Sequence, residues 1–397
     1  MDSVSENNLG AADLGNWRTS PHSRWAFHHV ADLVPTAKIA CDPRHSSDLR
    51  TASRRMDGFK LDLPDGGALD LASFHALTAT DAMVVLVDGE IAYEHYANGN
   101  SVHQPHILMS AGKSVLGLIA GVLAQSGDLD VDAPVSSYLP ALAGTAYEEA
   151  TARHLLDMRV AITFDEARQR AYDLATNWEP AGDGERQLGL GAFFESLEGP
   201  AAECEGPFSY VSANTDLLGL VVERATGQPL ASLVSELLWK PMGARDDAYV
   251  TLDRDGAARP TGGFGATARD LARLGQLVLH GGQWDDRESD RPILPSAWLK
   301  DTLEGGDHQA WRTGGWGQIF APLSRNLRYR NSWYVADDQP KLLFAMGVHG
   351  QNLFVDIENR MVVAKLSSQA DRTDARAIGL THWALPALRR VLLRQNG

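Results

Sequence analysis

Residues 113–126, "KSVLGLIAGVLAQS", constrain the fold more than any other stretch of this chain. Val115, Leu116, Leu118, Ile119, Val122 and Leu123 fall on nearly every face of a helix, and a helix that is apolar all round has to be buried. Gly127 is placed to stop it. The rest of the chain must therefore supply elements on every side. In "AMVVLVDGEIAYEHYA" (82–97), Asp88-Gly89 separates two runs rich in Val, Ile and Tyr, which predicts a two-residue hairpin. Near the end, "KLLFAMGV", "NLFVDI" and "MVVAKLSS" follow one another with no crossover helix between them, so they predict an antiparallel meander. From about 128 to 250 the apolar period is mostly helical, including "SANTDLLGLVVERATGQP" with its Gly227 and Pro229 stop. The chain closes on an amphipathic helix, "TDARAIGLTHWALPALRRVLLRQ", with a kink expected at Pro386. Strands, then helices, then strands and a helix predict an α+β fold: one antiparallel sheet with a helical insertion, not a doubly wound sheet. The expected boundaries are an N-terminal extension at 1–60 packing on the core, a sheet domain made of 61–120 and 250–397, and a helical domain at 121–249.

Composition narrows the function classes. The formal charge is −15, from 51 acidic and 36 basic residues, and no basic run is present. That argues against nucleic acid and anionic membrane as partners and leaves a small molecule. No stretch approaches the ~20 apolar residues of a membrane span. The opening "MDSVSENNLGAADLGNW" lacks a basic and an apolar signal region, so a cytoplasmic location is expected. The oligomeric state is open, a homodimer being one option. Cys41 and Cys204 form neither a disulfide framework nor a zinc pattern and read as small buried residues. His103 and His106 form H-x-x-H without a zinc-binding helix or third ligand, so they read as loop histidines, and no metal or cofactor is expected. Glu166 in "TFDEARQ" reads as a solvated helix charge.

The chemistry lies in "PHILMSAGKSV" (105–115). A phosphate loop would need glycine at 107, where the chain has Ile107. A G-x-S-x-G elbow would need glycine at 108, where it has Leu108. What the stretch does satisfy is S-x-x-K, with Ser110 and Lys113 one helical turn apart on one face. Ser110 at a helix N-terminus would feel the field of unpaired N–H groups. Lys113 acts as a base only when neutral, and the apolar wall that follows it supplies the burial that lowers an ammonium pKa.

On these residues the chain resembles the serine β-lactamase and penicillin-binding-protein superfamily, on its class C and esterase side. The likeness runs from about residue 24 to 370 and includes "YVSANTDLLGLVVERATG", "LLWKPMGA", "GGFGATARDLARLGQLVLHGG" and "GVHGQNLFVD". "SRWAFHHVADLVP" and "HGQN…VAKLSS" look like the 6-aminohexanoate-dimer (nylon oligomer) hydrolase branch. The resemblance implies a β-lactamase/DD-peptidase-like α/β sandwich with an inserted all-helical domain. It also implies an acyl-enzyme on Ser110, with Lys113 and Tyr210 moving the proton and the N–H groups of Ser110 and Val348 forming the oxyanion hole. A rival alignment, Ser212-Ala213-Asn214 as Ser-x-Asn, stays open beside Tyr210-Val211-Ser212.

The third family motif, Lys-Thr-Gly, is replaced by Ala345-Met346-Gly347. This removes a cation and a hydroxyl from that strand. Arg312 or Arg328 is a candidate to restore the charge. Ser212, His349, Tyr172, Trp178 and Met346 are the expected substrate contacts. The expected activity is hydrolysis of small linear amides or esters. A promiscuous carboxylesterase or a D-amino-acid peptidase is the alternative, and outside enzymes a penicillin-recognising sensor that acylates and stalls.

Overall fold

The side chains of one strand set up the architecture. In β1 (Thr80–Val87), Ala82, Val84 and Leu86 join one apolar cluster while Met83, Val85 and Val87 join another. A strand buried on both faces needs a layer on each. The computed structural model, which describes residues 12–284, 292–324 and 326–393, supplies both. The first eleven residues of the expected 1–60 extension, and Arg394 and Gln395 of the expected last helix, lie outside the described residues.

β1 turns through Asp88 (φ 51°) and Gly89 (φ 82°) into β2 (Glu90–Tyr96), the left-handed pair that the Asp-Gly dipeptide predicts. Five later strands complete an antiparallel sheet: β3 (Leu327–Arg330), β4 (Trp333–Ala336), β5 (Leu342–Gly347), β6 (Gln351–Asp356) and β7 (Met361–Ser367). Their order is β3-β4-β5-β6-β7-β1-β2. The predicted meander is β5–β6–β7. β3 and β4 escaped notice because four residues are too few to display a period.

Helix α1 (Lys113–Ser126) buries ten of its fourteen residues and ends on Gly127 in the left-handed region, as its sequence requires. Helix α2 (Ser212–Thr226) lies beside it in the same apolar cluster. On the sheet face made by Val84 and Leu86 sits α3 (Ala268–Leu279); on the opposite face sits α4 (Ala375–Leu392), which runs through Pro386. Among the described residues no helix is long and apolar enough to cross a membrane.

A second, four-stranded sheet pairs Thr36–Ile39, Ala248–Thr251, Phe264–Ala266 and His106–Ile107 in that order. It corrects one expectation. His106 is not a loop histidine: it sits in a strand, fully buried, with Nε2 3.1 Å from Asp81 Oδ2. A two-residue strand has no legible period, and its acidic partner is 25 residues away. His103 is exposed and pairs with Asp246. The cysteines are free and half-buried rather than buried, and burial pushes the Cys41 thiol up to about 11. Glu166 is exposed in the first turn of a short helix, Glu166–Ala175, as expected.

Candidate active site

The strand His106–Ile107 delivers the chain into a tight 3₁₀ turn, Met109–Gly112, and only then does α1 begin at Lys113. Ser110 therefore stands in the entry turn rather than at the first residue of the regular helix. Met109 before it has φ 46°, a left-handed conformation that is costly for a side chain of this kind and is held by the surrounding packing.

Lys113 is 1% exposed. Its Nζ lies 3.0 Å from Ser110 Oγ and 2.9 Å from the carbonyl oxygen of Thr261. Among the described residues no carboxylate bonds to it. Burial lowers its pKa from 10.5 to about 7, with Arg259 adding to the fall and Asp216 opposing it. Asp216, on α2, is fully buried and accepts the Thr261 N–H (3.0 Å) and the Tyr172 hydroxyl (2.5 Å). Thr261 in turn donates its hydroxyl to the Ser212 carbonyl.

Tyr210 closes the group from the other side. Its ring lies 4.9 Å from Lys113 Nζ, and Trp316 stacks on it at 4.2 Å. Burial pushes its phenol well above the usual range, the Ser110 side chain pulling the other way. Ser212 borders the cavity, but Asn214 of the rival Ser-x-Asn alignment points elsewhere, accepting from Tyr147 at 2.8 Å.

The end of β5 approaches the Ser110 turn so closely that only glycine fits. A β-carbon on Gly347 would lie 2.9 Å from Ser110 N and 2.7 Å from Leu108 O. Val348 follows directly and borders the same cavity as Ser110. Its neighbour His349 (φ 62°) is buried, with Nδ1 2.7 Å from Gln369 O and its ring against Phe27.

A cavity of about 1070 Å³ opens over Ser110. Tyr172, Trp178, Ser212, Met346 and His349 all border it, so the expected contacts are brought together. Three of them have polar atoms already engaged: Tyr172 through Asp216, Trp178 through Thr251 at 3.1 Å, and His349 through the Gln369 carbonyl. The arginines named from the sequence are not there. Arg328 is buried in a bidentate pair with Asp337, and Arg312 is an exposed residue that does not border the cavity. Arg18, Arg259 and Arg372 border it instead.

Sequence reasoning also missed Thr261, Asp216 and Trp316. Asp216 lies inside the predicted helix "SANTDLLGLVVERATGQP" with no local mark of its role, and Thr261 falls one residue before the block beginning at Gly262. Trp316 lies on a six-residue helix, Gly315–Phe320, too short for a period.

The chain is similar to several known proteins. The family model for β-lactamase matches residues 75–387. The 6-aminohexanoate-dimer hydrolase of Paenarthrobacter ureafaciens is 33% identical over 369 residues, 91% of this chain and 89% of that protein. Esterase EstB of Burkholderia gladioli is 31% identical over 171 residues, 38% of this chain and 40% of its own length. A solved Bacillus anthracis protein, described as a candidate 6-aminohexanoate-dimer hydrolase, superposes with a TM-score of 0.84 at 25% identity, over 98% of this chain and 99% of that one.

Proposed function

Because this chain belongs to the β-lactamase family and is a hydrolase, we propose that it cleaves small linear amides or esters through an acyl-enzyme on Ser110. The observation that supports this most strongly is the 3.0 Å contact between Ser110 Oγ and a buried lysine whose pKa falls to about 7. Near neutral pH a large fraction of Lys113 is uncharged and takes the proton as Ser110 Oγ attacks the carbonyl carbon. The N–H groups of Ser110 and Val348 hold the oxyanion, a contribution of roughly 3–4 kcal/mol per donor in comparable sites. Tyr210, whose high pKa keeps it protonated, hands its proton to the departing nitrogen or oxygen and is reprotonated from Lys113. Water then attacks the acyl-enzyme as the same two groups run in reverse.

The half-buried Met346, with Trp316, Ile319 and Leu323, gives the cavity an apolar wall suited to a methylene chain. An amide substrate accords with the relative named a 6-aminohexanoate-dimer hydrolase, and an ester substrate with the relative named an esterase. Turnover on a panel of nitrophenyl esters, linear ω-amino-acid amides, D-alanyl peptides and a chromogenic cephalosporin tests the reading. It predicts the highest kcat/KM among the linear amides or esters. Preference for the D-alanyl peptide or the cephalosporin contradicts it.

A further inference from the structure

Arg259 is a guanidinium stored beside the catalytic group with part of its hydrogen-bonding capacity unspent. It is 8% exposed, it borders the cavity, and among the described residues its Nε and Nη1 have no hydrogen-bond partner. Its cation lies 3.7 Å from the centre of the Trp178 ring. The nearest carboxylate oxygen, Asp216 Oδ2, is 3.7 Å from Nε, too far for a hydrogen bond, and is already taken by Tyr172. Asp216 thus offsets the charge of Arg259 without accepting its protons.

Buried N–H groups, charged ones above all, are normally paired, and a planar fork of donors matches a carboxylate. The other charges around this part of the cavity leave room for an anion. Glu179 is occupied by Arg18 and Arg170, and Arg372 stands exposed on the wall as a second cation. Asp173, the remaining acid there, has its carboxyl pushed up chiefly by burial and further by Glu179, against the pull of Gln169, Arg259 and Arg18. Lys113 gains no acidic partner from the cluster.

We propose that Arg259 is an anion anchor, and that the substrates of this enzyme carry a carboxylate some distance along the chain from the bond attacked at Ser110. This rests on the serine-hydrolase reading for the identity of the scissile bond, but the anchor itself is testable without turnover. Calorimetry on the full chain carrying Ser110→Ala would use two probes, hexanedioic acid monobutylamide and 6-(pentanoylamino)hexanoate, each against its methyl ester. The first places the carboxylate on the acyl side of the amide, the second on the leaving side.

At least one acid should bind ~10-fold or more tighter than its ester, with the preference falling as salt is raised. In the Arg259→Gln background acid and ester should converge, and Arg259→Lys should keep part of the difference. Equal binding of acid and ester for both probes overturns the proposal, and needs no variant at Arg259 that has to fold. So does a preference that survives Arg259→Gln, which would make the open N–H groups a site for water alone. Failure of the acyl-enzyme reading would instead appear as absence of a covalent adduct at Ser110, whatever these probes bind.

Discussion

Asp216 reaches Lys113 only through Thr261: its Oδ1 accepts the Thr261 N–H at 3.0 Å, and the Thr261 carbonyl accepts from Lys113 Nζ at 2.9 Å. The carboxylate therefore fixes the lysine in place and raises its pKa without bonding to it, while burial depresses that pKa more strongly. This predicts a pH profile. kcat/KM should rise with pH through about 7 as Lys113 loses its proton. Asp216→Asn keeps an acceptor for Thr261 and removes the charge, so the midpoint should move down, in a titration of kcat/KM against pH. An unmoved or raised midpoint contradicts the arrangement.

Burial of Lys113 also carries a stability consequence with a definite sign. Its folded pKa lies below its unfolded value, so the unfolded state binds more protons between about 7 and 10.5. The cost of burying the charge is in full force below about 7 and is relieved as pH rises toward 10.5. Lys113→Met should therefore be inactive yet more stable, by on the order of a few kcal/mol at pH 6. Denaturant melts should show that advantage shrinking steadily between pH 7 and pH 10.5. A destabilised variant, or an advantage independent of pH, would count against a depressed lysine.

Tyr210 and Ser212 are separable by substitution. Tyr210→Phe removes the hydroxyl proposed to protonate the leaving group and should lower kcat by ~100-fold or more, with little further loss when combined with Lys113→Ala. Ser212→Ala leaves intact the backbone carbonyl that Thr261 uses and should cost far less. The reverse ranking in steady-state kinetics would restore the Ser-x-Asn alignment.

Much of this site could be read in the chain because its parts are local. Ser110 and Lys113 share one turn, the Asp88-Gly89 hairpin is a dipeptide signal, and α1 announces its burial by having no polar face. What stayed hidden is set by pairing over long sequence distances. Arg259 lies in an irregular segment after Thr251, and only folding puts it against Trp178 and Asp216. His106 read as a loop residue because its strand is two residues long. Arg328 looked available because nothing in the sequence showed that Asp337 had claimed it. Short elements and buried polar pairs leave no periodic trace, and those are what finish the cavity.

Gly347→Ala tests the approach of β5 to the Ser110 turn. The backbone there is extended (φ −134°), so alanine brings no conformational strain, only a β-carbon 2.7 Å from Leu108 O and 2.9 Å from Ser110 N. Pushing the two segments apart should spoil the oxyanion donors and lower kcat by ~10-fold or more with a smaller change in KM. Unchanged kcat would remove Val348 from the proposed oxyanion hole.

The central claim is that Ser110 becomes acylated, and intact-mass spectrometry with peptide mapping after fluorophosphonate treatment tests it most directly. The account predicts one adduct per chain, on Ser110, formed faster as pH rises through about 7 and absent in Ser110→Ala. An adduct mapped to any other residue, or none on a folded protein that still turns substrate over, would contradict it.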